Sequence, residues 1–263
     1  MELEGLRCRR LPVVFSARPA IIPRMKISQQ LQSLISLTHD LGRVENGLAI
    51  TGEGNTSAAL GDGTFWVKVS GASLAGITAR GFCRVDAARA LALLDDPRCT
   101  EDNTGELLRG ALVRPTDPRP SIETMLHALC LADPEVRFVA HTHPLGLLRI
   151  LCSRAGTAPF RRHCYPFAVV TCGRHVATVG YRNPGLALAR GVRTELARYR
   201  RVHGHAPRLL LLANHGVVAL ARTAPEALHI SLMAEKWAQL LDGAHQWGGP
   251  AHLPAHAFQH LNG

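Results

Sequence analysis

Two histidines separated by one residue, His141 and His143, close the apolar run Val136-Arg137-Phe138-Val139-Ala140-His141-Thr142-His143-Pro144. In a strand, side chains two apart point to the same face, so both imidazoles can converge on one ion where the strand meets its loop. With 14 histidines in the chain, such a pair also arises by accident, and its meaning depends on what stands nearby. Upstream lies Glu123 in Pro120-Ser121-Ile122-Glu123-Thr124, and downstream a second apolar run, Leu209 to Leu212, breaks at Ala213-Asn214-His215-Gly216. Three histidines at the ends of two strands plus one carboxylate compose a zinc site, or a site for a similar divalent ion, with one position open for substrate. Taken alone, His215 is a turn histidine bonded to backbone, and Glu123 is a first-turn acid favoured by the helix dipole. Taken with the strand-end pair, they read as a third ligand and a base. His127, one helical turn beyond Glu123, reads as a supporting or core histidine and not as a ligand.

The elements that must carry these residues follow from periodicity and punctuation. Ile27, Leu31, Leu34, Ile35 and His39 have helical spacing and predict an amphipathic helix. Leu48-Ala49-Ile50 and Thr64-Phe65-Trp66-Val67 read as strands of a hairpin, with Gly61-Asp62-Gly63 as its turn. Val85 to Leu91 reads as a helix, Pro97 to Pro118 as a polar, proline-bearing excursion, and Ser121 as the N-cap of a helix over Met125, Leu126, Leu129 and Cys130. Beyond the strand ending at His143, Leu145 to Cys152 reads as a helix, Val176 to Tyr181 as a strand and Gly185 to Arg200 as a helix. Leu209 to Leu220 must be two strands or one bent strand, broken at Asn214-His215-Gly216. Thr223-Ala224-Pro225-Glu226 has capping-box spacing and opens a last helix through Leu241. Strands and helices mix without strict alternation, so the class is α/β.

Composition narrows the field further. A chain of 263 residues with 46% hydrophobic content can bury one substantial core, which places a single domain over residues 25–263. Residues 1–24 differ: Arg7, Arg9, Arg10, Arg18 and Arg24 are punctuated by prolines, and the piece Leu11 to Phe15 is shorter than a secretory core of roughly 7 to 15 apolar residues. A disordered extension is expected there, or a start at Met25. The net charge of +10 is almost wholly arginine, scattered and accompanied by 5% aromatics. A nucleic-acid surface needs a patch and stacking platforms, so no nucleic-acid partner is expected. The same basic field draws anionic small molecules. The 7 cysteines show no paired spacing and read as reduced residues. No stretch approaches the roughly 20 apolar residues of a membrane span. A cytoplasmic protein without a membrane partner is expected.

Five motifs occur in a fixed order: Gly54-Asn55-Thr56-Ser57, Lys68-Val69-Ser70-Gly71, Pro120-Ser121-Ile122-Glu123, His141-Thr142-His143-Pro144 and Asn214-His215-Gly216. In this order they resemble the class II aldolase/adducin family over roughly Ile27 to Leu241. The wording Pro-Ser-Ile-Glu-Thr with Trp66-Val67-Lys68 is similar to the rhamnulose-phosphate-type aldolase domain, which elsewhere is fused to a dehydrogenase. The chain has no glycine-rich dinucleotide fingerprint after a strand, so no dehydrogenase half is expected.

The resemblance implies a three-layer α/β/α sandwich around a mixed, mainly antiparallel sheet. It also implies a zinc-dependent aldolase that reversibly cleaves a ketose 1-phosphate to dihydroxyacetone phosphate and an aldehyde through an enediolate. His141, His143 and His215 are then the metal ligands and Glu123 the base. Asn55, Ser70, Gly71 and Ser121 are the implied phosphate pocket. Tyr181 resembles the tyrosine that crosses from a neighbouring subunit of a homotetramer to exchange a proton with the aldehyde oxygen. Two departures stand out. Ile122 replaces a frequent second serine, so that either Lys68 supplies the lost phosphate contact or the substrate lacks a phosphate. Gly180 replaces the family's proline before the tyrosine. Relatives of the family are epimerases of pentulose phosphates, in which aspartate usually stands at the Glu123 position, decarboxylases of phosphorylated 3-oxo acids, and adducin-like interaction modules that have lost the histidines.

Overall fold

A computed structural model describes residues 27–259; the extension expected over residues 1–24 and the domain start at residue 25 lie outside them. The elements run α1 (Ile27–Leu41), β1 (Asn55–Ala59), β2 (Thr64–Lys68), β3 (Phe82–Asp86), α2 (Ala87–Ala92), α3 (Thr104–Leu107), α4 (Thr124–Leu131), β4 (Phe138–Thr142) and α5 (Leu145–Leu151). They continue with α6 (Pro166–Cys172), β5 (Ala177–Val179), α7 (Leu186–His203), β6 (Leu209–Leu212), β7 (Gly216–Ala221) and α8 (Ala224–Ala244). The strands form one sheet in the order β3-β2-β1-β4-β7-β6-β5. All pairings are antiparallel except β5 with β6, which α7 joins as a crossover.

Helices α1, α5, α6 and α8 cover one face of the sheet, and α2, α4 and α7 the other. The three-layer sandwich and the mixed, mainly antiparallel sheet agree with the sequence reading. The two faces explain the unbroken apolar runs. Leu209 and Leu211 of β6 pack toward α8 while Leu210 and Leu212 pack toward α7, and β7 divides Val217 and Ala219 from Val218 and Leu220 in the same way. A strand buried on both sides shows no polar alternation.

Strand β1 lies elsewhere than expected. Leu48 to Ile50 is an irregular segment whose Leu48 carbonyl accepts from the His143 N–H at 2.9 Å, and the hairpin partner of β2 is Asn55–Ala59. Its residues are small and polar because each face has a polar task. Thr56 bonds Thr38 of α1 at 2.7 Å, whereas Asn55 and Ser57 face α4. Two further boundaries shift. Val85 lies in β3, a strand absent from the sequence reading, and Asp86 ends that strand and caps α2 by accepting from the Arg89 N–H at 3.0 Å. Helix α4 starts at Thr124, so Glu123 occupies the N-cap position and Ser121 closes the turn before it. The excursion from Pro97 to Pro118 carries α3 and buries Cys99, Leu108 and Leu112 against the β2–β3 side.

Helix α5 begins two residues after His143 and is held from outside. Glu235 of α8 accepts from the N–H groups of Gly146 at 2.9 Å and Leu147 at 3.0 Å. A side chain at Gly146 would place its Cβ 2.6 Å from the Glu235 Oε1. This carboxylate satisfies donors that the helix cannot pair internally. Glu235→Ala is therefore expected to lower stability by about 2–3 kcal/mol, read as a lower urea midpoint at unchanged slope. An unshifted midpoint would show that water replaces the carboxylate at no cost.

Candidate metal centre

Backbone geometry brings the three histidines together at one end of the sheet. His141 is the fourth residue of β4, His143 follows one past its end, and His215 sits in the tight connection between β6 and β7. That connection explains the Asn-His-Gly sequence. Asn214 takes a left-handed conformation, φ 55°, which asparagine tolerates better than most residues. Gly216 lies so close to β4 that a Cβ would fall 2.5 Å from the Thr142 carbonyl oxygen and 2.7 Å from the His143 ring. Gly54 shows the same close approach, with a Cβ position 2.7 Å from the His141 carbonyl oxygen.

The three rings point their Nε2 atoms at a common centre. His141 Nε2 lies 3.0 Å from His143 Nε2 and 3.3 Å from His215 Nε2. The His141 Nδ1–H donates to the Val217 carbonyl at 2.9 Å, which fixes the neutral tautomer and leaves a lone pair on Nε2. Burial lowers the His141 imidazole below its usual range, with Glu123 opposing. Burial, helped by His141 and His215, brings His143 down to about 3. Converging lone pairs on the His141 and His143 imidazoles repel one another and are satisfied by a cation between them. Three nitrogens suit zinc or a similar borderline ion.

Glu123 borders this centre. Its Oε2 lies 3.4 Å from His141 Nε2 and its Oε1 3.2 Å from His215 Nε2. Oε1 is buried and has no hydrogen-bond partner, which again fits a cation beside it. Burial works to raise the carboxyl, but positive charge at the His141 and His215 positions and the Asn55 amide outweigh it and lower Glu123 below the usual carboxylate range.

Behind Glu123 runs a buried chain of hydrogen bonds. Asn55 Nδ2 donates to Glu123 Oε2 at 2.7 Å and to Ser121 Oγ at 3.1 Å. The Asn55 carbonyl accepts from His127 Nε2. His127 Nδ1 must then accept, and the Ser57 hydroxyl donates to it at 2.7 Å. Burial first, then His141, lowers His127 to about 3, so it stays neutral in this chain of bonds. His127 thus supports the site and does not ligate, as its sequence position indicated. Asn55 and Ser57 belong to a motif singled out in the sequence, but their pairing with His127 was hidden because β1 carried no apolar pattern.

The remaining site residues divide. Ser121 stands inside the cluster, its hydroxyl accepting from the Glu123 N–H at 3.3 Å. Asn55 is present, but its amide is committed to Glu123, Ser121 and His127. Lys68 is buried, with its amine donating to the carbonyls of Val69 at 3.4 Å and Ala72. It braces the loop that holds Ser70 and Gly71, which are exposed at the mouth. Burial pulls the Lys68 amine below the usual lysine range, with the Glu123 carboxylate opposing. Tyr181 is 56% exposed, its hydroxyl donating to Asn183 Oδ1 at 3.0 Å. It leaves the sheet at the His215 end, since the Val179 carbonyl accepts from the Ala213 N–H at 2.9 Å, and it does not join the histidine cluster within one chain.

Among the described residues, no helix is long and apolar enough to cross a membrane. The pattern of the Class II Aldolase and Adducin N-terminal domain matches residues 32–241. An uncharacterized oxidoreductase of Bacillus subtilis (strain 168), YuxG, is 27% identical over 216 residues, covering 77% of this chain but only 29% of that protein. The structure of YgbL from Klebsiella pneumoniae, described as a putative aldolase/epimerase/decarboxylase, superposes with a TM-score of 0.70 at 22% identity, covering 90% of this chain and 100% of that one. An L-fuculose 1-phosphate aldolase superposes with a TM-score of 0.66 at 20% identity, over 90% of this chain and 95% of that one.

Proposed function

The chain belongs to the class II aldolase and adducin family, and on that premise we propose that it is a zinc-dependent aldehyde-lyase acting on a ketose 1-phosphate. One observation carries the reading: three Nε2 atoms within 3.3 Å of His141's or belonging to it converge beside an ionised Glu123 with one unpartnered oxygen. An adducin-like interaction module needs neither the converging imidazoles nor a buried carboxylate beside them.

His141, His143 and His215 would hold the ion. When bound, zinc would supply Lewis acidity that stabilises the negative charge developing on the donor. Glu123 takes the proton from the donor carbon and returns it, its Oε2 held in place by Asn55 while Oε1 faces the centre. The chain Ser57–His127–Asn55 orients that carboxylate. Tyr181, exposed at the same end of the sheet, serves the aldehyde oxygen of a neighbouring subunit in a homotetramer. The products are dihydroxyacetone phosphate and an aldehyde, released in the cytoplasm.

The test is aldehyde release from a panel of ketose 1-phosphates, before and after chelation. Release abolished by chelator and restored by zinc is the expected result. Carbon dioxide released from a phosphorylated 3-oxo acid, with no aldehyde from any ketose, would move the protein to the decarboxylases. Inversion of a pentulose phosphate would move it to the epimerases.

A further inference from the structure

The mouth of the site carries a cation that the reading above leaves without a task. Residues Arg119 to Ser121 run antiparallel to Lys68 to Ser70. The Ser70 N–H donates to the Arg119 carbonyl at 2.9 Å, the Ser121 N–H donates to the Lys68 carbonyl at 3.0 Å, and Val69 bridges Pro120. These bonds consume two backbone donors that a phosphate pocket would otherwise use. They also fix Arg119 two residues from Ser121 and four from Glu123.

The Arg119 side chain is exposed and reaches back over the same loop, with Nη2 3.5 Å from the Ser70 Oγ. It passes Gly105, where a Cβ would stand 3.4 Å from Arg119 Nη1 and 3.5 Å from Ile122 Cδ1. The guanidinium and the Ile122 side chain therefore both approach Gly105 of α3. Arg119 makes no ion pair among the described residues. Lys68, a neighbouring cation, spends its amine on the carbonyls of Val69 and Ala72 and is buried. A planar guanidinium beside a serine hydroxyl matches the geometry of a phosphate monoester, which it can grip with two parallel N–H donors.

We propose that Arg119, together with the Ser70 hydroxyl, binds the phosphate group of the substrate and so takes over the role that Ile122 cannot perform. The choice of a phosphorylated ketose rests on the aldolase reading; the assignment of the anion to Arg119 rests on the geometry alone. Beside Ser70 lies a hollow of about 460 Å³ lined by Ser70, Gly71, Ser73, Thr78 and Arg80. Arg80 is the natural comparison, because an anion seated in the hollow would depend on it and not on Arg119.

Two measurements separate the inference from the reading beneath it. In zinc-loaded protein, inorganic phosphate binding is followed by calorimetry for the wild type, Arg119→Met, Arg119→Lys and Arg80→Met. Arg119→Met is expected to weaken phosphate by roughly 10- to 100-fold, with Arg119→Lys intermediate because it keeps the charge and loses the fork. Arg80→Met is expected to change it little. In turnover, Arg119→Met should raise KM for the phosphorylated ketose by the same factor while kcat holds, and should raise KM for the unphosphorylated analogue far less. Phosphate binding unchanged in Arg119→Met, absent from the wild type, or lost instead in Arg80→Met overturns the assignment. Phosphate binding that depends on Arg119 in a protein that cleaves no ketose leaves the anion site standing and removes the aldolase reading.

Discussion

Replacing His141 with alanine is expected to take the purified protein from about one divalent ion per chain to none that survives desalting, with far-UV circular dichroism unchanged. His141 is fully buried, and its tautomer is set by the Val217 carbonyl, so its Nε2 lone pair has no role other than to face the centre. Loss of a hydrogen-bond partner behind a ligand typically costs 10- to 100-fold in metal affinity, and loss of the ligand itself should cost more than that. The same result is expected for His215→Ala, whose ring lies in a connection that leaves the hydrogen bonds of β6 and β7 in place. The fold should survive because the sheet is held by apolar packing on both faces and not by the ion. Elemental analysis decides the matter. Stoichiometric metal in either variant would remove the ligand assignment, and with it the Lewis acid on which the proposed chemistry depends.

The centre was legible in the sequence where burial and chemistry coincide in one short stretch. A strand covered on both faces is mostly apolar, so two imidazoles at the end of Phe138–Thr142 stand out as residues that packing does not require. The same holds for His215 after Leu209–Leu212. The support behind the centre was not legible, because its residues replace the very pattern that reveals an element. Asn55 and Ser57 are polar on a buried strand face, and they became interpretable only once β4 fixed the register Asn55 opposite His141. His127 is one helical turn from Glu123, a spacing visible in the chain, yet its partners lie about 70 residues away in sequence. Lys68 shows the opposite case. Its charge and position suited a phosphate, but a buried amine takes the nearest acceptors, and these are the carbonyls of its own loop. Arg119 carries no motif of its own, and its place beside Ser70 follows only from the pairing of two distant segments.

Glu123→Gln is expected to keep the metal and to lose turnover by roughly 100-fold or more, the usual worth of a positioned general base. The substitution preserves size, and the amide oxygen can still accept from Asn55 Nδ2, whose present partner is Oε2 at 2.7 Å. The amide NH₂ must then occupy the place of Oε1, the oxygen that faces His215 and has no hydrogen-bond partner. Pairing the other way would set two NH₂ groups against each other. The variant therefore retains the frame supplied by Ser57, His127 and Asn55 and lacks the one basic atom directed at the substrate. Proton transfer can be read apart from carbon–carbon cleavage. If Glu123 moves the proton at the donor carbon, solvent deuterium exchange into dihydroxyacetone phosphate should fall in the variant by the same factor as kcat, while metal content stays at the wild-type level. Loss of metal along with activity would make Glu123 chiefly a ligand. Near-normal exchange and turnover would reduce it to the residue that opens α4, with its carboxylate serving only to fix Asn55, and the base would have to be sought elsewhere around the three histidines.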